Sequence, residues 1–105
     1  MAKLKDGTLT SATRSSAVTI DSDKPLFVTI GRTGTSFSAT VRLERTADGG
    51  TTWTAVSTDS AGTAASYTSD ACLRIEDDET GGTPIQYSLN CTSYTSGTIY
   101  YRFGQ

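Results

Sequence analysis

The side chains with chemistry to offer fall in a few short stretches. Glu76-Asp77-Asp78-Glu79 sets four carboxylates in a row, and Asp21-Ser22-Asp23 sets two with one residue between them. Hard cations such as Ca²⁺ want several carboxylate oxygens, but an EF-hand alternates its acids around a central Gly, and that alternation is absent. Both stretches therefore read as solvated acidic turns, and no metal is expected. General acid–base work by paired carboxylates would need an apolar pocket to raise one pKa, and none is visible around these turns. The chain has no His, which removes Ser-His and Cys-His nucleophilic systems and His-containing zinc sites. Two Cys are too few for a four-thiolate site, and Gly-rich phosphate loops are missing. The expectation is a protein without catalytic residues or cofactor.

Cys72 and Cys91 permit one bridge. Cys91 is in phase with Ile85, Tyr87 and Leu89 and belongs to the core, whereas Cys72 lies on the opposite parity from Leu73 and Ile75. No export signal is apparent, so the thiols are expected to stay free in a reducing cytoplasm. Tyr94, Tyr100 and Tyr101 raise the question of a stacking platform for sugars or bases. Tyr101 shares parity with Ile99 and Phe103 and reads as core. Tyr100 points outward, where Tyr is common at protein interfaces.

The elements that would position these groups are strands. From Phe37 to Arg45 apolar and polar residues alternate, with Phe37, Ala39, Val41 and Leu43 on one face and Ser38, Thr40, Arg42 and Glu44 on the other. A period of two over nine residues marks a half-buried strand. Asp48-Gly49-Gly50 then allows a tight reversal into a second β-rich run, Thr51 to Ser57, which carries Trp53. Thr and Ser supply 33 of the 105 residues, a bias toward strands and turns, and no helical periodicity competes with it.

Further strands are expected at 17–20, 26–30, 64–68, 71–76, 85–94 and 98–103. Leu26 to Ile30 is apolar on both parities except Thr29, as for a strand covered on both sides. About seven short strands with turns roughly every ten residues predict an all-β protein. The fold is a small antiparallel β-sandwich, Ig-like or jelly-roll-like, over residues 17–105. Phe27, Phe37, Trp53, Leu73, Tyr87, Leu89 and Ile99 are expected to fill the space between its layers. Residues 1–16 have no strong period and carry Lys3, Lys5 and Arg14 against a lone Asp6. They read as an extended N-terminal arm, flexible or bound to a neighbouring subunit. A net charge of −2 with mixed signs speaks against a nucleic-acid partner, and nothing in the sequence suggests a membrane span.

Two resemblances add to this reading. Thr46-Ala47-Asp48-Gly49-Gly50-Thr51-Thr52-Trp53 resembles the Asp-box, S/T-x-D-x-G-x-T-W, a hairpin motif of sialidase propellers that lies away from their active sites. It implies a structural turn built on Asp48, Gly49, Gly50 and Trp53. In addition, Phe27 to Gly31, Ala39 to Trp53 and Ile85 to Arg102 together resemble small structural proteins of tailed bacteriophages. Their pattern runs V-x-L-E-R-S-x-D-G-G-x-T-W and later Y-R-L-x-C-T-x-Y-T-S-G-T-x-x-Y-R. The likeness spans about 75 residues, with Thr46 replacing the usual Ser and Ser88 standing where Arg is common.

That resemblance implies a non-enzymatic virion component, assembled in the host cytoplasm. The leading expectation is a capsid decoration or cement protein that binds the major capsid protein as a homo-oligomer, with Lys3, Lys5, Arg14 and Tyr100 as partner contacts. A tail, neck or fibre-base position is the alternative within the virion. A carbohydrate-binding module using Tyr67, Tyr94 and Tyr100 is the alternative from another class.

Overall fold

The computed structural model describes residues 3–21, 24–57, 62–76 and 84–105. Nine strands are present among these residues. They are β1 (Lys3–Leu9), β2 (Val18–Thr19), β3 (Leu26–Ile30), β4 (Phe37–Thr46), β5 (Thr54–Ala55), β6 (Ser66–Tyr67), β7 (Ala71–Ile75), β8 (Gln86–Gly97) and β9 (Ile99–Gly104). They form two antiparallel sheets. Sheet A runs β1-β9-β3-β7, and sheet B runs β2-β8-β4-β5 with β6 also paired to β4. The chain is all-β, a small β-sandwich.

The period-two stretches determine which side chains meet between the layers. Sheet A contributes Leu26, Val28 and Ile30 from β3, Ile99, Tyr101 and Phe103 from β9, and Leu9 from β1, while sheet B contributes Val41 and Leu43 from β4 and Tyr87, Leu89 and Cys91 from β8. Tyr101 and Phe103 meet edge to face with ring centroids 5.9 Å apart, the arrangement their quadrupoles favour. Cys91 is buried in this core and Cys72 is exposed, and both thiols are free.

Several expectations need correction. The described part of the expected 1–16 arm is not free: Lys3–Leu9 pair with β9 from Lys3↔Gly104 to Leu9↔Ile99. The sequence Lys-Leu-Lys-Asp-Gly-Thr-Leu has too weak a period to announce a strand. It forms one because β9 would otherwise leave its ladder groups unpaired. After Leu9 the chain changes sheets. Ser15 N–H donates to Leu89 O at 2.7 Å and Cys91 N–H to Thr13 O at 2.9 Å, so residues 13–19 run along the free side of β8.

The second correction concerns β3, which is covered on one side only: Leu26, Val28 and Ile30 are buried and Thr29 is exposed, while Phe27, expected between the layers, is half-buried on the outer parity and outside the core. Third, Phe37 and Leu73 pack at the margin of the core, half-buried. Fourth, Trp53 is also half-buried but lies outside the core, against Arg14. The expected 51–57 strand shrinks to β5, because residues 47–53 are used by the turn itself.

Candidate functional site

Two surfaces collect the residues singled out by the sequence. The first is the outer side of sheet B. The β4–β5 hairpin pairs Glu44 with Ala55 and Arg45 with Thr54. Its turn is held by two side chains. Thr46 Oγ1 donates to Asp48 Oδ1 at 2.6 Å and accepts from Gly50 N–H at 3.1 Å, while Thr52 N–H donates to Asp48 Oδ1 at 2.9 Å. Gly49 and Gly50 sit at φ 78° and 98°, where an L side chain would be strained. The Thr46 hydroxyl, followed by the Thr52 N–H, stabilises the ionised carboxylate and lowers the Asp48 pKa to about 2.

That turn brings Trp53 back over the sheet, where the Arg14 guanidinium lies 4.5 Å from its ring centroid. Beneath them is Glu44, only 2% exposed although its parity faces outward. Arg14 Nη2 approaches Glu44 Oε1 at 2.6 Å, and Arg14 Nη1 donates to Ser88 Oγ at 2.8 Å. Arg42 Nε donates to Glu44 Oε2 at 2.7 Å, and Asn90 Nδ2 reaches the same oxygen at 3.4 Å. Burial pushes the Glu44 pKa up, but Arg14, Arg42 and Asn90 outweigh it and hold the carboxyl below its ordinary range. Glu44 is therefore a charged strut and not a proton donor near neutrality.

Arg14 was expected to reach a partner. It is instead occupied within the chain, pinning the N-terminal segment to β8 and β4. Strand parity could not reveal this cluster, since Glu44 alternates as a solvent-facing residue should. The only available signal was that Trp53 needed an apolar or cationic surface to cover.

The second surface is the outer side of sheet A. Tyr100 faces outward there, opposite Thr8 on β1, half-buried beneath Arg32 whose guanidinium is 4.8 Å from the ring centroid. Asp6, Thr8, Thr29, Arg32, Tyr100 and Arg102 border a shallow groove of about 590 Å³. Lys5 is exposed on β1 but stands on the inner parity, opposite Phe103, and does not belong to this face. The backbone of Lys3 belongs to the same strand.

A larger groove of about 630 Å³ opens beside the Asp48 turn, bordered by Arg45, Asp48, Thr52, Thr54, Val56 and Tyr87. Asp48 is the carboxylate on its border, and the hydrogen bonds of the turn occupy it. No known family model, curated protein or solved structure matches this chain.

The remaining candidates do not converge. Tyr67 pairs with Val41 and Tyr94 with Ala39 on sheet B, away from Tyr100 on sheet A. Burial raises the Tyr67 pKa, and the Tyr94 hydroxyl donates to Gly97 O at 2.6 Å. The three rings form no common platform. Among the described residues no three His, Cys, Asp or Glu side chains gather as a metal site. Asp77, Asp78 and Glu79 of one acidic stretch, and Ser22 and Asp23 of the other, lie outside the described residues. Glu76 pairs with Arg74 at 2.9 Å, and Asp21 N–H donates to Gln105 Oε1 at 2.9 Å.

Proposed function

We propose that this chain is a non-enzymatic structural component of a tailed-bacteriophage particle, a decoration protein docking on the assembled capsid shell. The observation that carries the reading is the internal use of its polar groups. Glu44 is the buried carboxylate among the described residues, and two arginines and an amide consume it. What is left for function is surface. The likeness of its sequence to small virion proteins supports the same reading, and the Asp48 turn is closed by its own hydrogen bonds, as a purely structural turn would be.

The docking face in this reading is the outer side of sheet A, where Tyr100 offers aromatic area and Arg32 and Arg102 offer planar donors for carboxylates on the shell. A protein that binds only the assembled shell stabilises it by mass action, by about 2.7 kcal/mol per site at a hundredfold excess over Kd.

The test is cryo-EM and quantitative mass spectrometry of the phage particle encoded alongside this chain. Shell decoration requires hundreds of copies arranged on the capsid lattice. A dozen or fewer copies would move the protein to the tail or neck, and its absence from the particle would end the virion reading. Arg102→Glu should lower shell occupancy without unfolding the protein, because Arg102 is exposed.

A further inference from the structure

The four lateral edges of the sandwich are not equally protected. Sheet B ends in the two-residue strands β2 and β5, too short to template another strand. In sheet A, β1 carries a bulge between Lys3 and Lys5. Its Lys5 sits on the inner parity opposite Phe103, so an added strand would have to cover a charge.

Strand β7 has neither device. Its five pairs with β3 run unbroken from Leu26↔Ile75 to Ile30↔Ala71. Among the described strands nothing pairs with its other side. Its inner row, Ala71, Leu73 and Ile75, is only half-buried, whereas the inner row of the neighbouring β3 is buried throughout.

We propose that β7 is a self-association edge, pairing antiparallel with β7 of a second copy about a two-fold axis through Cys72. Parity and charge choose that register. Keeping inner residues opposite inner residues, with at least three residues of β7 paired to β7 of the second copy, leaves three symmetric registers, centred on Cys72, Leu73 or Arg74. Centring on Arg74 sets Arg74 against itself. Centring on Leu73 sets Asp70 against Glu76 of the second copy. Centring on Cys72 sets Arg74 of each copy against Asp70 of the other and packs Ala71 against Leu73, large against small.

Like charges directly opposite are destabilising and opposite charges favourable, so of these three the Cys72-centred register alone gains on both outer pairs. Arg74 is available for the exchange. Its present ion pair with Glu76 joins side chains 56% and 71% exposed, which costs little to rearrange. Asp70 already lies over Gly31 on the outer side, so close that a Cβ on Gly31 would fall 2.0 Å from Oδ1. The product is a continuous eight-stranded sheet made from the two four-stranded ones. This inference does not depend on the virion reading and is tested on the isolated protein.

Two measurements on the full-length chain decide it. Directly opposed residues on antiparallel strands have Cα atoms about 4.5 or 5.5 Å apart, within the range a disulfide spans. Mild oxidation with copper phenanthroline and dioxygen should therefore link two copies through Cys72, the two thiols yielding two protons and two electrons to the oxidant. Cys72→Ser should abolish the link, since Cys91 is buried. Sedimentation velocity should show a reversible dimer that Arg74→Glu weakens roughly tenfold or more, the two-fold axis doubling each change from attraction to repulsion. The cross-link needs no folded variant to be informative. A chain that stays monomeric at the highest soluble concentration, a failure to cross-link through Cys72, or a dimer indifferent to Arg74→Glu would each overturn the proposal.

Discussion

The Glu44 cluster gives the sharpest quantitative test. Removing one member of a buried ion pair commonly costs about 3–5 kcal/mol, because the other charge is left uncompensated. Here the carboxylate is 3% exposed while Arg14 and Arg42 are 32% and 36% exposed, so the stranded guanidiniums would recover part of their hydration. Glu44→Gln is therefore expected at the low end, about 3 kcal/mol. Arg14→Ala leaves Glu44 its Arg42 partner but loses a charged hydrogen bond and the stack on Trp53, about 2 kcal/mol together.

In a double-mutant cycle the coupling between Arg14 and Glu44 should exceed about 1.5 kcal/mol, against 0–1 for an exposed pair. Urea unfolding followed by Trp53 fluorescence is the assay, and the single Trp sits on Arg14 and so reports the cluster directly. The folded-state pKa of Glu44 lies below its ordinary value of 4.5. Its contribution is accordingly complete above that value and disappears as pH falls through the folded pKa. Added salt should reduce it little, because buried pairs are weakly screened. A coupling below about 0.5 kcal/mol would reduce the cluster to an ordinary surface contact and remove the reason for Trp53 to lie where it does.

Other outcomes can be checked alongside. Asp48 has an ordinary pKa of 3.8 and a folded one of about 2, so the turn should lose stability as pH falls between these values. Thermal melts of Asp48→Asn and Thr46→Val should show a shallower acid dependence over that interval. Gly97→Ala should destabilise by about 1–3 kcal/mol in urea titrations, because Gly97 sits at φ 91° with the added Cβ 2.7 Å from Phe37 Cα and Ser36 O. Ellman's reagent should titrate one thiol rapidly, Cys72, and reach Cys91 only on unfolding, since Cys91 is buried and burial raises its pKa. Deleting residues 1–9 should bare β9 as a long sheet edge, and light scattering should register aggregation that the full chain does not show.

What could be read from the sequence follows from how locally each feature is encoded. Phe37 to Arg45 and Ile85 to Cys91 carry their burial in their own alternation, so β4 and β8 and most of the core were legible, as were the exposed Cys72 and the buried Cys91 and Tyr101. The Asp48 turn was legible because its donors and acceptors lie within seven residues of one another. Strand β1 was not, because what makes it a strand is the unpaired edge of β9, ninety or more positions away in the chain.

The same holds for Glu44. Period two assigns it to solvent, and it would be solvated if sheet B stopped at β8 and β4. It is covered because the chain crosses from sheet A to sheet B after Leu9, which lays Arg14 across Ser88 and Glu44. Trp53 then has a cation to rest on. The crossing and the cluster are thus one feature: an N-terminal segment that pairs with both sheets needs an anchor where it changes sides, and Arg14 is that anchor. The segment looked like a loose basic arm because the contacts that fix it, Lys3–Leu9 to β9 and residues 13–19 to β8, are long-range. Once those contacts exist, the segment joins the two layers, and any partner binds a closed block and not a tether.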